Sequence, residues 1–204
     1  YIQAVSVEKV LETIETLIDQ YADNQFLFIW DSIAATSSEK ELESDFNPQS
    51  TMSVKPRIFG KAFPKLTIPL ADGQHTLLMI NQLKTNINTQ NPMAALVEPF
   101  IAPGGKAIEY FCSLRVWLTK RKSKASYVTD DTGLRIGSEV KCKLQKSRFG
   151  TEGRECTFKI LWAGAAAIQD EESWLIALKA SKTDRLKLSG AWYTLVGDKK
   201  EYKF

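Results

Sequence analysis

The sequence predicts an α/β protein: a mainly parallel sheet flanked by helices, an antiparallel extension and a small C-terminal appendage. Three observations carry this. Two apolar runs, Phe26 to Trp30 and Thr76 to Ile80, have the length and flanks of buried strands. A helical stripe precedes the first of them, so helices and strands alternate through the first half, as a parallel sheet requires. Further on, two segments alternate apolar and polar residues with period two, the mark of half-buried antiparallel strands.

Each element has a local reason. Tyr1 to Val5 reads as a strand entered midway; since residue 1 is Tyr and not Met, a fragment of a longer protein is expected. Ser6 suits an N-cap and Glu8 a first helical turn. Val7, Val10, Leu11, Ile14, Leu17, Ile18 and Tyr21 then follow helical spacing. After the strand Phe26 to Trp30, the polar stretch Ser37 to Val54 reads as a loop. A helix is expected from about Pro56, a good first helical residue, kinked or shortened by Pro64 and ended by Pro69 and Asp72-Gly73. Thr76 to Ile80 is the next strand. Lys84 to Pro103 reads as a second long loop, and loops of that length seldom persist without a purpose.

Gly104-Gly105 opens a short helix into Phe111, and Leu114 to Lys120 is a strand. The alternating segments around Val140, Cys142 and Leu144 and around Cys156, Phe158 and Ile160 should pair antiparallel across Phe149 to Arg154. Asp170 to Ala180 reads as a helix and Trp192 to Phe204 as a hairpin turning at Gly197-Asp198. A change of character near Ile168 divides the expected core, 1–168, from the appendage, 169–204.

Composition excludes several classes. Apolar content of 44% and charged content of 25% over 204 residues fit a soluble globular chain. A formal charge of +3 is too small to establish a polyanion partner. Cys112, Cys142 and Cys156 are widely spaced, and with the single His75 they form no zinc pattern; they read as reduced thiols in a cytosolic setting. No apolar stretch approaches a membrane span, and no signal peptide is visible.

The strand ends carry the chemistry. The first run ends in Asp31-Ser32 and the second in Asn81-Gln82. Polar groups at the carboxyl ends of neighbouring strands are how open α/β sheets build nucleotide sites. A carboxylate there can fix Mg²⁺ through its water shell, and an amide can sense a phosphate. The competing reading is that Asp31 is a turn residue and Gln82 a polar strand end facing water.

Six pieces in order resemble the RecA family of recombinases, its phage branch of UvsX-like proteins in particular. They are DSIAA (31–35), MSVKPRIFGKAFPKL (52–66), INQLK (80–84), GGKAIEYF (104–111), GSEVKCKLQKSR (137–148) and FKILWAG (158–164). The resemblance covers roughly residues 1 to 164. It implies a RecA-like fold, binding of ATP and Mg²⁺, and DNA-dependent ATPase activity. It also implies strand exchange on single-stranded and double-stranded DNA by a self-assembled helical filament, inside a bacterial cell and encoded by the host or a phage. The family's GxxxxGK[ST] loop and its catalytic Glu precede the first strand seen here, and no Gly-Lys-Ser/Thr cradle occurs in this sequence. The 204 residues alone are therefore expected to hydrolyse little or no ATP. A hexameric helicase on the same core and a non-catalytic DNA-binding module are the alternatives.

The resemblance also distributes roles. Asp31 matches the Mg²⁺-associated acid, supported by Ser32, and Gln82 the γ-phosphate sensor. Lys146 and Arg148 match a pair of cations that reach a neighbour's ATP, with Arg where the family has a second Lys; a solvated basic turn is the commoner fate of such residues. Trp162 stands where an aromatic lies near adenine, though a core tryptophan is as good a reading. Met52 and Arg57 match the first DNA loop, Lys84 and Ile87 the second, and Gly104-Gly105 a backbone approach to phosphate or simply a tight turn. The run Lys120, Arg121, Lys122, Lys124 reads first as a solvated face.

Overall fold

The computed structural model describes residues 2–45, 47, 49–86, 93, 99–120, 123–162, 167–190, 192–197 and 200–203. They fall into two compact units, Tyr1–Cys112 and Ser113–Phe204.

In the first unit, helix α1 (Val7–Gln20) starts where the Ser6 hydroxyl accepts the Lys9 N–H at 3.1 Å. Its stripe of Val7, Leu11, Ile14 and Ile18 is buried. Strands β1 (Leu27–Asp31) and β2 (Thr76–Ile80) run parallel, in register from Leu27 beside Thr76 to Asp31 beside Ile80. Their inner face, Phe28, Trp30, Leu77 and Met79, joins a core completed by Ile33, Phe59, Phe63, Leu66 and Ile108. The opposite face, Leu27, Ile29, Leu78 and Ile80, is exposed in this chain, whereas parallel strands are ordinarily covered on both sides. Residues 2–4 are irregular, not a strand. Ile2 and Ala4 instead line an apolar groove of about 560 Å³ with Val10, Ile14, Leu27 and Trp30.

The crossover between β1 and β2 departs from expectation twice. The stretch read as a loop contains helix α2 (Glu39–Glu43), held by a capping box: Ser38 Oγ accepts from Glu41 N, and Glu41 Oε2 accepts from Ser38 N at 2.7 Å. The Ser-x-x-Glu signature was present in the sequence. Helix α3 (Val54–Asp72) runs through both Pro64 and Pro69 without being shortened. Each proline deprives the carbonyl four residues earlier of its donor. Those carbonyls belong to Gly60 and Lys65, both exposed residues that water can serve. The buried Phe59, Phe63 and Leu66 hold the opposite side of α3 in the core.

Ser38 is fully buried, so Ser38→Ala should cost about 1 kcal/mol, read as a lower urea midpoint with an unchanged slope. Burial pushes the Glu41 carboxyl up, but the Ser38 N–H, the Lys55 ammonium 3.4 Å away and the Ser38 hydroxyl outweigh it and leave it below the usual glutamate value, and Ser38→Ala removes the last of these. A lowered folded pKa stabilises above the ordinary glutamate range and loses that contribution as pH falls through the folded value. The Ser38→Ala deficit should therefore shrink in acid.

After β2, the expected long loop is closed by a short antiparallel stem. Strands β3 (Lys84–Thr85) and β4 (Phe100–Ile101) pair, with Asn86 N donating to Pro99 O at 2.9 Å. Helix α4 (Lys106–Phe111) completes the unit.

In the second unit the sheet order is β5 (Leu114–Thr119), β7 (Arg135–Ser147), β8 (Glu155–Leu161), β9 (Ile168–Gln169), with β6 (Tyr127–Thr129) also paired to β7. Helix α5 (Glu171–Ala180) follows, then a three-stranded sheet of β10 (Leu186–Ser189), β11 (Trp192–Val196) and β12 (Glu201–Lys203). The hairpin β11–β12 was expected; β10 was not. Nor is the sheet mainly parallel: among the described residues, parallel pairing is confined to β1 and β2, and every other ladder is antiparallel. The tight turn between β7 and β8 requires antiparallel pairing, while the long crossover through α2 and α3 permits the parallel pair.

Candidate strand-end site and basic hairpin

The register of the parallel pair sets the centre of the site. Asp31 lies beside Ile80, and Ile33 N donates to Ile80 O at 2.9 Å, binding the two strand ends together. Gln82 is two residues beyond Ile80, so the carboxylate and the amide leave the same end of neighbouring strands. Both residues are exposed, and among the described residues neither side chain has a hydrogen-bond partner. The turn role that competes for Asp31 is taken by its neighbour: Ser32 is buried, its Oγ accepts from Ala35 N at 3.3 Å, and its carbonyl accepts from Thr36 Oγ1 at 2.9 Å. Thr36 Oγ1 in turn accepts the Trp30 indole N–H at 2.9 Å.

Asn81 is the residue that sequence reasoning passed over. Its Nδ2 donates to Pro103 O at 2.8 Å, and its Oδ1 accepts from Gln82 N at 2.9 Å. It ties the end of β2 to the entry of α4 while setting the backbone of Gln82. The signal was the amide beside Gln82; the partner, 22 residues away, is visible only in the fold.

The loop candidates of the first unit gather around this latch. Gly104 and Gly105 have φ of +102° and +79°, and a Cβ on Gly105 would stand 2.9 Å from Pro56 Cβ. Only glycine permits that approach of the chain to the first turn of α3, which gives the pair a packing role whatever else it does. Met52, 68% exposed, precedes that turn, and Arg57 lies within it, also exposed. Lys84 is exposed on the loop stem. Ile87 lies outside the described residues, as do Arg121 and Lys122.

The second unit holds Lys146, Arg148 and Trp162. Val116 pairs with Leu144 but Arg115 with Lys146, so Gln145 is an extra residue in β7. This bulge moves Lys146 off the face of Cys142 and Leu144 onto that of Arg115, Trp117 and Lys143, which strict alternation would not do. Arg148 is anchored by its backbone N–H to Ser113 O at 3.0 Å. Trp162, 61% exposed, follows β8 and is not a core residue in this chain; the Arg135 guanidinium lies 4.8 Å from its ring centroid and 3.8 Å from that of Tyr127. One face of the indole is thus already in a cation–π contact.

The donor set suits a Mg²⁺-nucleotide at its metal edge. Mg²⁺ takes one or two carboxylates and keeps water and phosphate oxygens for the rest. One exposed carboxylate beside an amide meets that need without an acidic cluster, and no group of three metal-ligating side chains occurs among the described residues.

A parallel pair with a carboxylate and amides at its carboxyl ends, followed by an antiparallel sheet, defines an α/β protein of the strand-end-site kind. Comparison with known proteins names the family: residues 2–167 match the RecA N-terminal domain, and the chain belongs to the RecA family. It is similar to Protein RecA of Leptospira biflexa, 28% identical over 94% of this chain and 45% of that protein. It is likewise similar to Protein RecA of Mannheimia haemolytica, 27% identical over 94% and 48%. Protein RecA of Mycoplasma mycoides is 29% identical over 94% and 51%. The chain therefore spans about half the length of the curated relatives it matches. No helix among the described residues is long and apolar enough to cross a membrane.

Proposed function

We propose that this chain is part of an ATP-dependent recombinase of the bacterial cytoplasm that assembles as a filament on single-stranded DNA and exchanges strands with a duplex. The observation that carries the reading is the shared end of β1 and β2, with Asp31 beside Ile80 and Gln82 leaving the same edge, in a chain of the RecA family. The exposed outer face of that pair also fits a core continued by the half of the relatives' length that this chain does not span. There we place the phosphate-gripping GxxxxGK[ST] loop. The UvsX-like branch and the division into a core, 1–168, and an appendage, 169–204, belong to the same proposal.

When bound, Mg²⁺-ATP supplies the phosphoanhydride to be hydrolysed and the charge the site must complement. Asp31 orders the water shell of the metal, and Ser32 holds the turn that presents it. Gln82 donates to the terminal phosphate. Because Asn81 grips Pro103 and Lys84 begins the loop stem two residues beyond Gln82, a shift of the Gln82 backbone is passed to both ends of the second DNA loop. Met52, Arg57, Lys84, Ile87, Gly104 and Gly105 hold the DNA, cations and backbone N–H groups on phosphates and apolar tips between bases. Lys146 and Arg148 complete a neighbouring subunit's ATP, and Trp162 offers its open ring face to adenine.

The test is Gln82→Ala in the whole protein. Single-strand affinity should stop responding to the exchange of ATP for ADP while the ADP-state affinity is retained. Salt titration should give the same steep slope in both states, since the phosphate contacts remain. An unchanged nucleotide response would remove Gln82 from the sensor role.

A further inference from the structure

We propose that Cys142 and Cys156 form a reversible cross-strand disulfide, a site of thiol oxidation on the β7–β8 pair. The two residues are direct register partners. The ladder's phase is set by Trp162 N donating to Ile136 O and Leu144 N to Arg154 O, both at 2.9 Å. On that phase Cys142 and Cys156 are a hydrogen-bonded pair, with Cα atoms about 5.5 Å apart, inside the span of a disulfide. Both lie on the face that also carries Leu118 and Leu144.

The two thiols differ. Cys156 is exposed and Cys142 half-buried. Burial, then the neighbouring thiol, pushes the Cys142 pKa up, so an oxidant reaches Cys156 first. With a small-molecule disulfide such as oxidised glutathione, the Cys156 thiolate attacks one sulfur. A mixed disulfide forms and one glutathione thiolate leaves. The Cys142 thiolate, held in place by the sheet, then attacks Cys156 Sγ and expels the second glutathione thiolate. Two cysteine thiols are oxidised, one small disulfide is reduced to two thiols, and the two thiol protons pass to glutathione. Closure draws the Cβ atoms from about 5 Å to about 3.8 Å, and a strained, accessible disulfide is readily reduced.

The experiment incubates the intact chain with oxidised glutathione in mildly alkaline buffer, blocks remaining thiols with N-ethylmaleimide, and digests with trypsin without reductant. Mass spectrometry should find Cys142-Lys143 joined to Glu155–Lys159, lighter than their sum by the two thiol hydrogens and released by dithiothreitol, with Cys112 alkylated. Cys142→Ser should trap Cys156 as its glutathione adduct. Cys156→Ser should leave Cys142 alkylated. A wild-type chain that stops at the Cys156 adduct, as Cys142→Ser does, overturns the proposal. So does full alkylation of both residues, or a linkage through Cys112.

Discussion

Lys146→Ala should lower DNA-stimulated ATP hydrolysis by the whole protein by about 10³-fold or more, the scale of removing a cation from developing phosphate charge. Nucleotide binding by the isolated subunit should survive. The expectation rests on the Gln145 bulge, which sets Lys146 directly opposite Arg115. A solvated basic turn would give a different result, since its loss would change the rate only through weak screening. The decisive arm mixes Lys146→Ala subunits with subunits that keep Lys146 but cannot hydrolyse ATP themselves. Recovered turnover supports action across a subunit boundary, and its absence removes that assignment. Lys146→Arg should recover only part of the rate, because a planar fork does not replace a point charge on a flexible stem.

Phe59→Ala should cost about 3–5 kcal/mol, a large share of a typical domain's stability of roughly 5–15 kcal/mol. Phe59 is fully buried. Its ring stacks on Phe63 at 5.3 Å and meets Trp30 edge-on at 5.9 Å. The residue thus joins α3 to β1, and through Trp30 to the turn that carries Asp31. Truncation leaves a cavity between elements that cannot close together without moving the β1–β2 pair. Urea denaturation followed by tryptophan fluorescence reads the effect. A loss under about 1 kcal/mol would show that the α3–β1 contact collapses freely and contributes little of the unit's stability.

The difference between these residues shows what was legible in the sequence. Helix α1 and strands β1 and β2 could be read directly, because Ile14 and Ile18 or Leu77 and Met79 follow periods that a local pattern must obey. The helix α2 was equally local, written as Ser38 and Glu41, yet it was hidden inside a polar stretch that resembles a loop in composition. Pro64 and Pro69 misled for the opposite reason: their local cost is real, but exposed Gly60 and Lys65 and the buried Phe63 face outweigh it. Asp31 and Gln82 could be singled out as chemistry at strand ends; that they leave one edge together depended on parallel pairing, which no short segment encodes. Asn81 was passed over because its value lies in Pro103.

By itself, the amino-acid sequence determined helix α1, strands β1 and β2, the residue types at their ends and the family to which the chain belongs, since each is carried by spacing within a short window or by order along the chain. The tertiary structure decided the rest: the Asn81–Pro103 latch, the approach of Gly105 to Pro56, the facing of Cys142 and Cys156, and the bulge that turns Lys146 to the side of Arg115. Each of these depends on a partner brought near by the packing of other elements, and a one-residue change of register would abolish it while leaving every local pattern intact.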